Sequence, residues 1–133
     1  MGKDTPFIME GDDEADIEIS LIKTCGINYG DYAKDESLLT REIFEDHFDI
    51  ILKEVREMGH YIGYLIMGCL ILKTGSKLPD DLRKKLIDSA DWKLDRKDWR
   101  GADEEFLELR KEILLDFQDK IRNHKPGIKT KIL

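Results

Sequence analysis

The sequence predicts an all-α protein, a compact bundle of four to five helices around one central apolar helix at about 58–74. Three observations predict it. From Tyr61 to Leu72 no residue is charged, while Glu54, Arg56 and Glu57 come before the run and Lys73 and Lys77 after it. Upstream, Phe44, Phe48, Ile51, Val55, Met58, Ile62, Leu65 and Cys69 advance by threes and fours, the helical period rather than the alternating one of a strand. Start and stop signals then fall at sensible places: Thr40 as a cap, Thr74-Gly75-Ser76 as a stop, and Pro79-Asp80-Asp81 as a new start.

The central run is short for a membrane span, which takes about 20 apolar residues. Its apolar side chains cover every side of a helical wheel, the pattern of a helix enclosed by others. Gly59, Gly63 and Gly68 interrupt it. Each glycine costs about 1 kcal/mol inside a helix relative to Ala. Close approach of a neighbouring helix would offset that cost, and Gly59 can also be read as a kink or a break.

Residues 1–11 hold Gly2, Pro6 and Gly11 and read as a loosely docked lead-in. Asp12, Asp13, Glu14 and Asp16 suit a helix N-terminus, and a helix over roughly 13–25 aligns Ala15, Ile19 and Ile22 on one row and Ile17, Leu21 and Cys25 on another. The alternation of Ile17, Ile19 and Leu21 also permits a short strand, for which no partner strand is evident. Residues 26–37 read as a loop, with Gly26, Asn28, Gly30, Asp31 and Asp35 as turn formers around Tyr29 and Tyr32. One long helix is expected from Thr40 to Thr74. Leu82, Leu86, Ile87 and Ala90 make the apolar side of the next helix. Trp92 and Trp99 stand in a polar linker and are expected to cover the edge of the core, with an exposed anchor as the alternative. The last helix carries the clearest stripe: Phe106, Leu109, Ile113, Phe117 and Ile121, with acids at its start and Arg122, His124 and Lys125 near its end. Pro126-Gly127 stop it, and 128–133 read as a short tail.

The chain has 133 residues, the size of a single domain. Its net charge of −7 is unevenly placed. Residues 1–72 carry 6 basic and 16 acidic side chains, residues 73–100 carry 9 and 6, and residues 101–133 carry 7 and 7. An acidic chain is repelled by phosphate backbones, so nucleic acid is not an expected partner. A helix-turn-helix over the central run and the segment after Pro79 fails for the same reason, since Asp80 and Asp81 would meet phosphates. No apolar N-terminal leader is evident and the two cysteines, Cys25 and Cys69, fall in apolar patterns. They read as buried thiols in a reducing compartment, and a cytoplasmic location is expected.

No catalytic motif stands out. There is no Walker glycine loop, nucleophile elbow, His-Glu-x-x-His or Cys-x-x-Cys, and Asp12, Glu14 and Asp16 fail as a calcium loop because Ile17 occupies the position that needs Gly. The sharpest candidate for chemistry is Glu57 with His60, a Glu-x-x-His that on one helix face would resemble half of a metal-carboxylate site. It occurs once, and no cofactor is expected. His47 reads as a partly buried histidine on an apolar helix side.

The sequence weighs against an enzyme and for a small acidic protein-binding protein, of inhibitor, immunity or adaptor type. Its expected partner is a basic protein, met through Asp12, Asp13, Glu14, Asp16, Tyr29, Asp31, Tyr32 and Asp35. The alternative is a metal-carboxylate helical-bundle enzyme using Glu57 and His60. Self-association through an uncovered apolar stripe is a third expectation.

Overall fold

The structure, a computed structural model, describes residues 6–99 and 101–132. Among them the chain forms eight α-helices and no strand. In chain order these are α1 (Asp12–Thr24), α2 (Tyr29–Lys34), α3 (Arg41–Asp46), α4 (Phe48–Met58), α5 (Tyr61–Thr74), α6 (Asp80–Ser89), α7 (Trp92–Asp95) and α8 (Glu104–Asn123). Short 3-10 turns at Glu36–Leu38 and Arg96–Trp99 complete the set. The all-α reading holds, with helices shorter and more numerous than the four or five expected. No helix among the described residues is long and apolar enough to cross a membrane.

The expected long helix from Thr40 to Thr74 is three helices. Thr40 does cap the first, its hydroxyl accepting the Ile43 N–H at 3.1 Å. His47 then stands between α3 and α4, its Nδ1–H donating to the Ile43 carbonyl at 2.8 Å. Gly59 takes φ 63°, a left-handed conformation that ends α4. The apolar period passes through both breaks because Phe44, Phe48, Ile51, Val55, Ile62 and Leu65 all still face the core.

Helix α5 is the enclosed rod. Ile62, Gly63, every residue from Leu65 to Leu72, and Thr74 are buried on it. It packs against α1, α3, α4, α6 and α8. Gly68 is required by that packing, since a Cβ there would lie 2.5 Å from the Phe117 ring of α8. Gly75 ends α5 at φ 72°. The tail then crosses that end: Gly127 N–H donates to the Gly75 carbonyl and Thr130 N–H to the Leu72 carbonyl, each at 2.8 Å. Helix-end carbonyls that lack an intrahelical partner are thereby satisfied.

Two expected irregular stretches are ordered. Residues 26–37 contain α2, capped by the Asn28 side chain, which accepts the Asp31 N–H at 3.0 Å. Residues 91–99 contain α7 and a 3-10 turn, with Trp99 buried and Trp92 half-buried at the core edge. The reason lies in a buried ion pair. Arg110 on α8 donates from Nε to Asp95 Oδ2 at 2.7 Å and from Nη2 to Asp95 Oδ1 at 2.8 Å. Its Nη1 reaches the Pro6 carbonyl at 3.0 Å, and its guanidinium lies over the Trp99 ring, 5.3 Å from the centroid. The Tyr61 hydroxyl donates to Asp95 as well, at 3.1 Å. One polar cluster thus joins the lead-in, α5, α7 and α8. Ile8, next to it in the lead-in, is fully buried.

Candidate functional site: an acidic cleft between α1 and α5

Helix α1 opens with acids, and its periodicity separates them. Asp12, Asp13 and Asp16 are exposed. Glu14 is not: it is 4% exposed and lies against Gly11, where a Cβ would sit 1.8 Å from its Oε2. At about 100° per residue, Glu14 falls nearly opposite Asp12 and Asp16 on the wheel. It is removed from the partner-facing set for that reason.

Asp13 and Asp16 border a depression of about 340 Å³ whose other lining residues are Ile17, His60 and Ile62. Ile62 is buried and Ile17 half-buried, so the floor is apolar. His60 caps α5: its Nδ1 accepts the Ile62 N–H at 3.2 Å, which leaves the ring proton of the neutral form on Nε2. The imidazole stacks on Tyr61 with ring centroids 4.6 Å apart. Two exposed aspartates bordering an aliphatic depression suit a Lys or Arg side chain. Its stem can lie on Ile17 and Ile62 while its charged head meets Asp13 and Asp16.

The Glu57–His60 pairing is corrected by the backbone. Helix α4 ends at Met58, Gly59 is left-handed, and His60 is extended at φ −129° and ψ 139°. The two residues therefore share no helix face. Both are exposed, and no group of three or more His, Cys, Asp or Glu among the described residues is placed to hold a metal ion. The depression that His60 borders is shared with the two α1 aspartates.

The second expected patch is only partly available. Tyr32 is 1% exposed and belongs to the core. Its hydroxyl accepts a hydrogen bond from Lys73 Nζ at 2.7 Å, and Lys73 also pairs with Glu36. Burial alone would push the Lys73 ammonium down, but Glu36 and Tyr32 outweigh it and hold the group above its ordinary range. Tyr29 is half-buried and donates to Glu18 Oε1 at 3.0 Å; burial raises the Glu18 carboxyl despite that bond. Asp35 spends its carboxylate on the Ser37 N–H and hydroxyl, at 3.2 and 2.6 Å. Only Asp31 and Asp35 of this patch are exposed.

The thiols are poor nucleophiles. Burial, with a smaller push from Glu54, raises Cys25 to about 11, and burial holds Cys69 far above the usual thiol range. Glu54 bridges α1 and α4, accepting from the Ser20 and Thr24 hydroxyls at 2.6 and 2.5 Å. Sequence reasoning missed this bridge and the Asp95–Arg110 pair. In the sequence, Glu54 offered the better signal, since it is the one acid on the otherwise apolar-facing turn before Val55. The chain matches no protein-family model, no curated protein and no solved structure with which it was compared.

Proposed function

We propose that the protein is a non-enzymatic helical binding protein, of inhibitor, immunity or adaptor type, that engages a basic protein through the cleft between α1 and the start of α5. One observation carries the reading: two exposed aspartates, Asp13 and Asp16, line one depression together with the apolar Ile17 and Ile62 and with His60. That combination favours a long cationic side chain over a small ion, because it offers both charge and an aliphatic bed. The charge distribution supports it at longer range. The segment 1–72, with its 16 acidic and 6 basic residues, would steer a basic partner toward this face. The two cysteines are free and buried, which suits work in a reducing compartment such as the cytoplasm.

An acetylated oligolysine peptide is the direct probe. Titrated into the isotope-labelled protein, it is expected to shift amide resonances in α1 and at residues 60–62. Its affinity should fall steeply as salt rises from about 0.1 M to about 1 M, where the screening length drops from about 10 Å to about 3 Å. Shifts spread evenly over every acidic surface would mean that the acids serve only to solvate the fold. Salt-insensitive binding would remove the electrostatic part.

A further inference from the structure

A cavity of about 450 Å³ opens where the tail crosses the end of α5, remote in character from the acidic cleft. Its size falls within the range of small-molecule sites, about 300–1,000 Å³. The walls are mainly apolar, supplied by Met9, Cys69 and Ile132. Burial keeps the Cys69 thiol protonated, so it serves as wall rather than nucleophile. Among the described residues, the charges at the rim are three lysines, Lys73, Lys129 and Lys131, against one carboxylate, Glu36. Glu36 is committed to Lys73, and Lys73 is further held by the Tyr32 hydroxyl. Lys129 and Lys131 make no ion pair with a carboxylate among the described residues. Their backbone is pinned: Thr130 N–H binds the Leu72 carbonyl at 2.8 Å, and Lys120 Nζ donates to the Lys131 carbonyl. In a chain of net charge −7, this rim is a local cationic exception.

We propose that the cavity binds a single-chain aliphatic carboxylate, with its chain along Met9, Cys69 and Ile132 and its head between Lys129 and Lys131. A cationic amphiphile would meet three ammonium groups. A planar ring system such as a nucleotide base would find no aromatic wall, since none lines the cavity among the described residues. An aliphatic carboxylate matches both the walls and the rim. The proposal does not depend on the acidic cleft.

Octanoate titrated into the labelled full-length chain tests it, with octylammonium and octanol run alongside. Saturable octanoate binding is expected, with shifts at Met9, Cys69 and Ile132, while octylammonium leaves these resonances in place. The exposed pair Lys129→Glu/Lys131→Glu should weaken octanoate about tenfold with the fold retained, because it replaces two solvent-exposed attracting charges with two repelling ones. A filling substitution, Met9→Trp, should block octanoate even in the parent charge background. No octanoate binding, equal binding of octylammonium, shifts confined to another surface, or undiminished affinity in the double variant would each overturn the proposal.

Discussion

Asp95 and Arg110 are the charged side chains on which the core most depends. Both are almost wholly inaccessible, and every polar contact described for the guanidinium runs to Asp95 or to the Pro6 carbonyl. Moving such ions out of water is costly, and the pair's own attraction roughly offsets that cost; removing one member leaves the other stranded, for about 3–5 kcal/mol. Asp95→Ala and Arg110→Met are each expected to lose about that much in denaturant unfolding, and the combined variant less than the sum of the two. Additive losses would show that the residues act separately. Glu18 provides a test through pH. Burial raises its carboxyl and outweighs the Tyr29 hydroxyl and the Lys73 ammonium, which lower it, so the folded protein holds this proton more tightly than the unfolded chain. Its contribution favours the folded state below the ordinary carboxyl value of 4.5 and is lost as pH rises through the raised folded value. Glu18→Gln keeps an acceptor for Tyr29 and cannot ionise. Thermal melts should therefore find it more stable than the parent at neutral pH and level with it in acid. A variant less stable than the parent at neutral pH would refute the burial argument.

Elements whose signals are local were legible in the sequence. Thr40, Gly75 and the later part of the α8 stripe, Ile113, Phe117 and Ile121, each announce a helix end or face within a few residues and are found where they were expected. At the start of that stripe Leu109 is exposed and Phe106 half-buried, and Arg110 turns inward instead. The breaks at His47 and Gly59 were not legible as such, because the apolar period runs through them and only the backbone turns. Helix α2 was hidden by turn-forming residues that in fact cap it, Asn28 above all. Of the candidate site, Asp13, Asp16 and His60 were each singled out, but for different roles; their meeting depends on how α1 lies against α5, which no local signal carries. Tyr32 was misplaced because a loop was expected where a helix turns it inward. The glycines of the central run divide by cause, and substitution should show it. Gly68→Ala forces a methyl into the Phe117 ring and is expected to cost about 1–3 kcal/mol by overpacking. Gly59→Ala meets no neighbour within 4 Å and should cost about 1–2 kcal/mol, from its positive φ alone. Chemical denaturation separates them best when each is paired with Phe117→Leu: only the Gly68 cost should shrink.

At the scale of the molecule, the enclosure of α5 uses up the apolar surface of the central run and leaves charge on the outside of the N-terminal helices. The lysine-rimmed cavity at the tail is the exception to that acidity, and the cleft between α1 and α5 is where acidity meets an apolar floor. Among the described residues, Ile50 on α4 and Leu109 and Leu115 on α8 are large apolar side chains left exposed on the longer helices. The most direct measurement is calorimetric titration of oligolysine into the parent and into the Asp13→Lys/Asp16→Lys variant, with thermal melts confirming that both are folded. Loss of binding in the variant, with its melting temperature within a few degrees of the parent's, is the result expected. Binding of unchanged affinity in a folded variant would contradict the account.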